Sequence, residues 1–215
     1  MGRRRDGGAG PADRQRRDVA INTKRVPVRT LPELIAFAAT RSQELDYGTA
    51  GVGSVSHLTG ETLKEHTGLR MKHIPYRGAG PAANDLLGAQ IDIAIVTGLG
   101  VAGPPLGNTE VRAIAVTGLE RAPQAPDVPT VAETHPGFSM TGWLGLAGPA
   151  GLPPDVTERL AGWMWAALAD PTVVKRLIGA GVSPGFHDGA DVARVVREEL
   201  GTYSTIIKRL GIKPE

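Results

Sequence analysis

The sequence predicts an α/β fold around a mostly parallel sheet, and three observations carry that prediction. Nearly continuous apolar, β-branched runs at "IDIAIV" (91–96) and "VRAIAVT" (111–117) read as strands buried on both faces. Stretches with helical periodicity come between such runs at 30–41, 54–68 and 78–90. Glycine and proline number 29 and 17 among 215 residues, which suits many turns between short elements.

The elements follow in order. "DVAINTKRVPV" (18–28) contains a short alternating run that reads as a strand. "TLPELIAFAATR" (30–41) opens with Thr30 as N-cap, Pro32 in the first turn and Glu33 completing a capping box; Leu31, Leu34, Ile35 and Ala38 form one apolar face. Ser54 caps a helix through Val55, Leu58, Thr62 and Leu63 that Gly68 ends. "LRMKHIPY" (69–76) alternates as a strand does, and "GAGPAANDLLGAQ" (78–90) has Pro81 near a helix start and Gly88 as its stop. The order is strand, helix, strand, helix, strand, loop, strand. A proline-rich crossing (121–138) leads to a strand-like run and Gly/Pro loop at 140–155. Helices are expected at 154–169, 171–180 and about 189–210. Trp163 and Trp165 are read as core residues of the first of these helices.

Composition excludes several classes. The chain has no cysteine, so disulfides, thiolate zinc sites and cysteine nucleophiles are ruled out. No stretch approaches the ~18 consecutive apolar residues of a membrane-spanning helix. The net charge of +2 is unevenly placed: residues 1–29 hold nine basic residues against Asp6, Asp13 and Asp18. The body that follows is therefore mildly acidic. Residues 1–18 have almost no large apolar side chains and are expected to form a disordered basic tail. Such an arm could bind nucleic acid, but no aromatic residues are interleaved with its charges. The arm does not read as a signal peptide, because no apolar segment follows the charges.

The chemistry concentrates in "YGTAGVGSVSHL" (47–58). As a dinucleotide loop it lacks the third glycine, Ser56 standing in that place, and no Walker lysine follows. As a nucleophile elbow it has the wrong register around Ser54, and His57 lies on the same helix rather than on a separate loop. His57, His66 and His73 do not share a metal-binding helix face, so they are read as surface or capping residues and no metal is expected. Two readings stay open. Gly51 and Gly53 allow a tight turn whose amides, with those of the helix start, converge on an anion, with Thr49 and Ser54 adding hydroxyls. The competing reading is a plain strand-to-helix turn with a capping serine.

From about Val19 onward, the chain resembles the periplasmic solute receptors of tripartite tricarboxylate transporters, the TctC or Bug family. The matching stretches include "RTLPELIAFA", "DYGTAGVGSVSHLTGETL", "HIPYRGAGPAANDLLGAQIDIAI", "VRAIAVTGLERAPQAPDVPTVAET" and "PGFSMTGWLGLAGPAGLPPDV". The resemblance implies a periplasmic-binding-protein type II fold, with two α/β lobes closing on a small carboxylate. It places 46–135 in the ligand-binding second lobe and assigns 19–45 and 136–215 to the remains of the first. It implies ligand contacts from Thr49, Gly51, Gly53, Ser54, Arg77, Gly78 and Thr97, the last standing where the family often has Asp or Asn. It also implies a hinge near Gly137–Trp143 and membrane permease components as partners. Independently of the resemblance, a homo-oligomer, in which a second copy of the chain supplies the missing wall, is a further expectation, and nucleic acid is not an expected partner. A periplasmic location follows from the resemblance, and a cytoplasmic one if the start is the true start. Relative to the family, the N-terminal part of the first lobe is absent from this sequence, and "PPLGNTEV" lacks the usual basic turn. No cofactor and no catalytic role are expected. The alternatives are a truncated, non-functional remnant or structural subunit, and a nucleic-acid binder using the basic arm.

Overall fold

A computed structural model describes residues 15–22, 24–97, 110–122, 125–179, 182, 184–185 and 189–212. Most of the expected basic tail, and the loop expected to follow 91–96, lie outside the described residues. The chain forms β1 (Gln15–Asn22), α1 (Leu31–Thr40), β2 (Leu45–Thr49), α2 (Val55–Thr67), β3 (Met71–Pro75), α3 (Ala79–Leu87), β4 (Ile93–Thr97) and β5 (Val111–Val116). A 3₁₀ turn at Val131–Glu133, β6 (Thr141–Gly142), α4 (Pro154–Ala169), α5 (Pro171–Gly179) and α6 (Gly189–Leu210) complete it.

The strands form one sheet in the order β3-β2-β4-β1-β5, with the short β6 paired to β1. β2 is parallel to β3 and β4, whereas β1 runs antiparallel to β4 and β5. Four of these five strands therefore point one way, and β1 alone opposes them. This arrangement corrects two expectations. Gln15–Asp18, assigned to a tail, are strand residues: Arg17 pairs with Thr97 and Asp18 with both Val96 and Val116. Backbone pairing with β4, β5 and β6 outweighs the polarity of the sequence here. Residues 19–45 do not stand apart from the 46–135 sheet either, because β1 lies in its interior and α1 packs on it.

Side-chain alternation explains the layering. Ile93 and Ile95 face one core, with Val19, Tyr47, Leu58, Leu63, Met71 and Ile114; Ala94 and Val96 face another, with Leu86, Ile91 and Val111. Helices α1, α2 and α6 cover the first face and α3 the second. The caps work as sequence chemistry dictates. Thr30 Oγ1 accepts from the Glu33 amide at 3.3 Å, while Glu33 reaches past the cap to accept from the Arg29 amide at 2.7 Å. Gly68 ends α2 at φ +69°, a left-handed value that costs glycine nothing. A full capping box forms instead at Thr130 and Glu133.

The C-terminal helices form where expected but pack differently. Ile206 on α6 is buried in the first core, and Arg209 pairs with Glu65 on α2 at 2.5 Å, so α6 belongs to this sheet's covering layer. Neither α4 nor α5 buries a residue. Trp163 and Trp165, read as core, are 61% and 54% exposed. Among the described residues, α4 packs chiefly on α5, and its indoles stay largely exposed, the Arg159 guanidinium lying over the Trp163 ring at 5.3 Å. The strand-like run at 140–155 shrinks to Thr141–Gly142; beyond it Leu144 and Leu146 are exposed. No helix of the described residues is long and apolar enough to cross a membrane.

Candidate functional site

The parallel strands put their carboxyl ends on one edge, and the candidate residues gather there. The strand order switches at this edge: β2 leads outward to β3, and the next strand, β4, returns to β2's other side. Such a switch in strand order opens a crevice beyond the strand ends, the usual ligand position in α/β sheets. Thr49 closes β2, Arg77 and Gly78 follow β3, and Thr97 closes β4.

The β2–α2 loop is built from its own polar groups. Gly51 and Gly53 have φ of +127° and +72°, values that other residues adopt only with strain. At Gly51 an added Cβ would also lie 3.2 Å from the Tyr76 carbonyl. The Tyr76 amide donates to the Thr49 carbonyl at 3.1 Å, fastening the loop to the β3–α3 turn that bears Arg77 and Gly78. Ser54 Oγ donates to the Gly51 carbonyl at 2.7 Å, lies 2.9 Å from Ser56 Oγ, and accepts from the His57 amide at 3.2 Å. Ser56 Oγ in turn accepts from the Ala50 amide at 3.1 Å.

Four of the residues expected to contact a ligand also bond within the loop or to its neighbours. Thr49 is fully buried, and its hydroxyl lies 2.6 Å from His73 Nε2 while accepting from the Gly51 amide at 3.3 Å. The Gly53 amide donates to His57 Nδ1 at 3.1 Å. The polar groups of Thr49 and Ser54 and the amides of Gly51 and Gly53 therefore help shape the loop, with Thr49 buried, Gly51 and Ser54 half-buried and Gly53 exposed. The amides of Val52, Val55 and Ser56 take no partner among the described residues, Val55 and Ser56 being first-turn amides with no intrahelical acceptor. Arg77 is exposed, and its guanidinium makes no hydrogen bond or ion pair among the described residues. The backbone of Thr97 sits at the same edge, paired with Arg17.

Sequence reasoning missed the layer beneath the loop. His57 is 7% exposed and lies flat on His73, with ring centroids 3.9 Å apart and planes 12° apart. Burial is the first cause holding both imidazoles below their usual range, and His57 adds to the effect on His73, which falls to about 4. Tyr47 donates to Glu61 Oε1 at 2.6 Å, and burial and then this carboxylate push its hydroxyl upward. Of the two roles considered for the histidines, His57 takes capping, of an amide four residues back, and not the surface one. A signal was present: a histidine three residues after an N-cap serine can reach back to the turn. The partner on β3 was beyond sequence spacing. Beside the helix start, Val55, Trp143, Glu199, Leu200 and Tyr203 line an open groove, in which Trp143 Nε1 donates to Glu199 at 2.8 Å.

Comparison with known proteins supplies the context. The sequence signature of the tripartite tricarboxylate transporter family receptor, TctC, matches residues 17–212. A UPF0065 protein from the tcbD-tcbE intergenic region of Pseudomonas sp. strain P51 is 34% identical over 181 residues, covering 83% of this chain and 54% of its own. BugT of Bordetella pertussis is 26% identical over 196 residues, covering 91% of this chain and 60% of its own. The chain thus spans just over half the length of these relatives. Among solved structures, R. palustris Rpa4515 with adipate superposes with a TM-score of 0.84 at 30% identity, over 98% of this chain and 73% of that one. MatC from Rhodopseudomonas palustris with bound malate gives 0.81 at 27% identity, over 90% and 66%. With the α/β sheet, the glycine loop and this match over nearly its whole length, the chain belongs to the TctC family of tripartite tricarboxylate transporter receptors.

Proposed function

We propose that this chain captures a small organic carboxylate for a tripartite tricarboxylate-type transporter, at the carboxyl edge of β2, β3 and β4. The observation that carries the reading is the start of α2. The amides of Val52, Val55 and Ser56 have no partner among the described residues, and a rigid glycine turn holds them at the positive end of the helix. Arg77, on a turn hydrogen-bonded to the same loop, supplies the complementary charge, with Gly78 next to it in the chain and Thr97 at the end of β4, on the other side of β2. Thr49, Gly51, Gly53 and Ser54 contribute by fixing the loop. The relatives solved with adipate and malate support the ligand class. A periplasmic location and permease partners follow the family.

In this reading, binding works by capture without chemical change, followed by a shift toward a closed form about the Gly137–Trp143 crossing. A non-binding structural subunit is the second reading, favoured by the exposed apolar surface of Leu144, Leu146, Trp163 and Trp165. Thermal melting against adipate, malate, succinate and citrate separates the two. A ligand in hundredfold excess over its Kd stabilises by about 2.7 kcal/mol, a shift of several degrees. A chain that melts cooperatively with no carboxylate shift would be the structural subunit.

A further inference from the structure

Both glycine amides of the β2–α2 loop lead to one pair of stacked imidazoles. The Gly53 amide donates to His57 Nδ1 at 3.1 Å. A backbone amide only donates, so Nδ1 carries no proton and the His57 ring is neutral, with its hydrogen on Nε2. The Gly51 amide donates to Thr49 Oγ1 at 3.3 Å, and that oxygen lies 2.6 Å from Nε2 of His73, the ring on which His57 lies. The Tyr47 ring, tilted by 35° with its centroid 5.1 Å from that of His73, adds a third ring to the group.

Few charges stand near this pair. Glu61 and Lys64, on the same helix as His57, pair at 3.0 Å, and Glu61 also accepts from the Tyr47 hydroxyl. From α6, Glu199 lines the neighbouring groove and accepts from the Trp143 indole. A proton on either imidazole would place a cation against the other ring, in a site that burial already makes unfavourable for charge.

We propose that His57 is a positioning residue for the ligand loop: stacked on His73 and accepting the Gly53 amide, its neutral ring fixes the glycine backbone, and protonation at Nδ1 releases it. With Nδ1 protonated, two donors face each other across 3.1 Å, so the Gly53 amide loses its acceptor and the turn loses its anchor. The loop then holds an anion at neutral pH and lets it go in acid. The proposal rests on the carboxylate-capture reading for its binding consequence only; the anchoring of Gly53 is independent of any ligand.

The test uses the full chain, with exchange of the Gly53 amide followed by NMR from about pH 7.5 to about pH 4 and corrected for intrinsic rates. Wild type should show protection that falls at least tenfold across this range. In His57→Asn the side-chain oxygen can replace Nδ1 without titrating, so protection should persist and its pH dependence vanish. His57→Ala should lack protection throughout; if that variant fails to fold, the comparison of Asn with wild type decides. Adipate and malate binding, followed in parallel by melting shifts, should weaken in acid at least tenfold more for wild type than for His57→Asn, which removes the ligands' own titration from the comparison. Unchanged protection in His57→Ala, or acid loss surviving in His57→Asn, overturns the proposal. Protection that depends on His57 with no carboxylate response at any pH upholds the anchoring and overturns the ligand reading instead.

Discussion

The carboxylate of Asp92, one residue before β4, accepts from Arg25 Nε at 2.7 Å with one oxygen and from the Asp46 amide at 2.9 Å with the other. It thereby ties the β1–α1 connection to the start of β2. Asp92 is nearly fully buried, whereas the Arg25 side chain is 36% exposed. Removing the carboxylate would leave an amide and a guanidinium poorly served. Asp92→Ala should therefore cost about 2–3 kcal/mol in urea or thermal unfolding. A loss under 0.5 kcal/mol would mean that water replaces the carboxylate freely.

Close packing at Gly60 supports a second prediction. A Cβ there would overlap the Tyr47 ring and lie 3.1 Å from Ile95. Tyr47 cannot easily yield, since its hydroxyl is bound to Glu61 and its ring packs near His73. Gly60→Ala should cost about 1–3 kcal/mol through overpacking, although alanine is the better helix former. Stabilisation by this substitution would show that the helix can shift away from the sheet.

Stability should also depend on pH through the stacked imidazoles. His73 is held at about 4, below its usual 6.5, mainly by burial, so the folded chain binds fewer protons than the unfolded chain between these values. Its contribution is complete above about pH 6.5 and is lost as pH falls toward about 4. Over that window the unfolding free energy should fall by roughly 1–3 kcal/mol, partial solvent access reducing the full linkage value. His73→Phe, which keeps a ring under His57 without a titrating nitrogen, should flatten the profile; an unchanged profile would assign the dependence elsewhere.

Ser54 separates capping from ligand contact. Ser54→Ala removes the acceptor for the His57 amide and the donor to the Gly51 carbonyl, so stability should drop by about 1 kcal/mol. Carboxylate affinity should fall with it, because the turn loosens, whereas Arg77→Gln should lower affinity while leaving the melting temperature of the free chain within a degree or two. Arg77→Gln binding as wild type would remove Arg77 from the site.

Thr62 tests whether an unpartnered buried group is costly. Its hydroxyl lies on the buried face of α2 with no hydrogen-bond partner among the described residues. Thr62→Val, of similar shape, should be neutral or stabilise by up to about 1 kcal/mol. A clear loss would reveal a bound water at that hydroxyl.

Local chemistry was legible from the sequence. Thr30, Ser54 and Gly68 mark helix ends because capping involves groups a few residues apart, and 91–96 and 111–117 read as strands because burial on both faces removes polar residues. The place of β1 was not legible: Gln15–Asp18 are polar, and only their partners at 96–97, 116 and 141–142 make them a strand. The same limit applied to the site. The glycines pointed to the turn, but the partner of the Thr49 hydroxyl is set by the pairing of β2 with β3, which brings His73 within its reach. Periodicity placed Trp163 and Trp165 on a helix correctly, yet it cannot report whether anything covers them.

The antiparallel strand has a consequence for how the chain folds. β1 is the first described element to be synthesised, yet its neighbours in the sheet are β4 and β5, so Arg17 waits for Thr97 and Asn22 for Val111. While the chain emerges from the ribosome, α1 through α3 can form locally, but the interior of the sheet stays open until residue 116 is available. Closing so long a loop is slow compared with helix formation. The nascent chain must therefore keep "DVAIN" unpaired while α1 through α3 and the strands between them are made, which leaves time for a chaperone to engage this segment before the sheet closes over it.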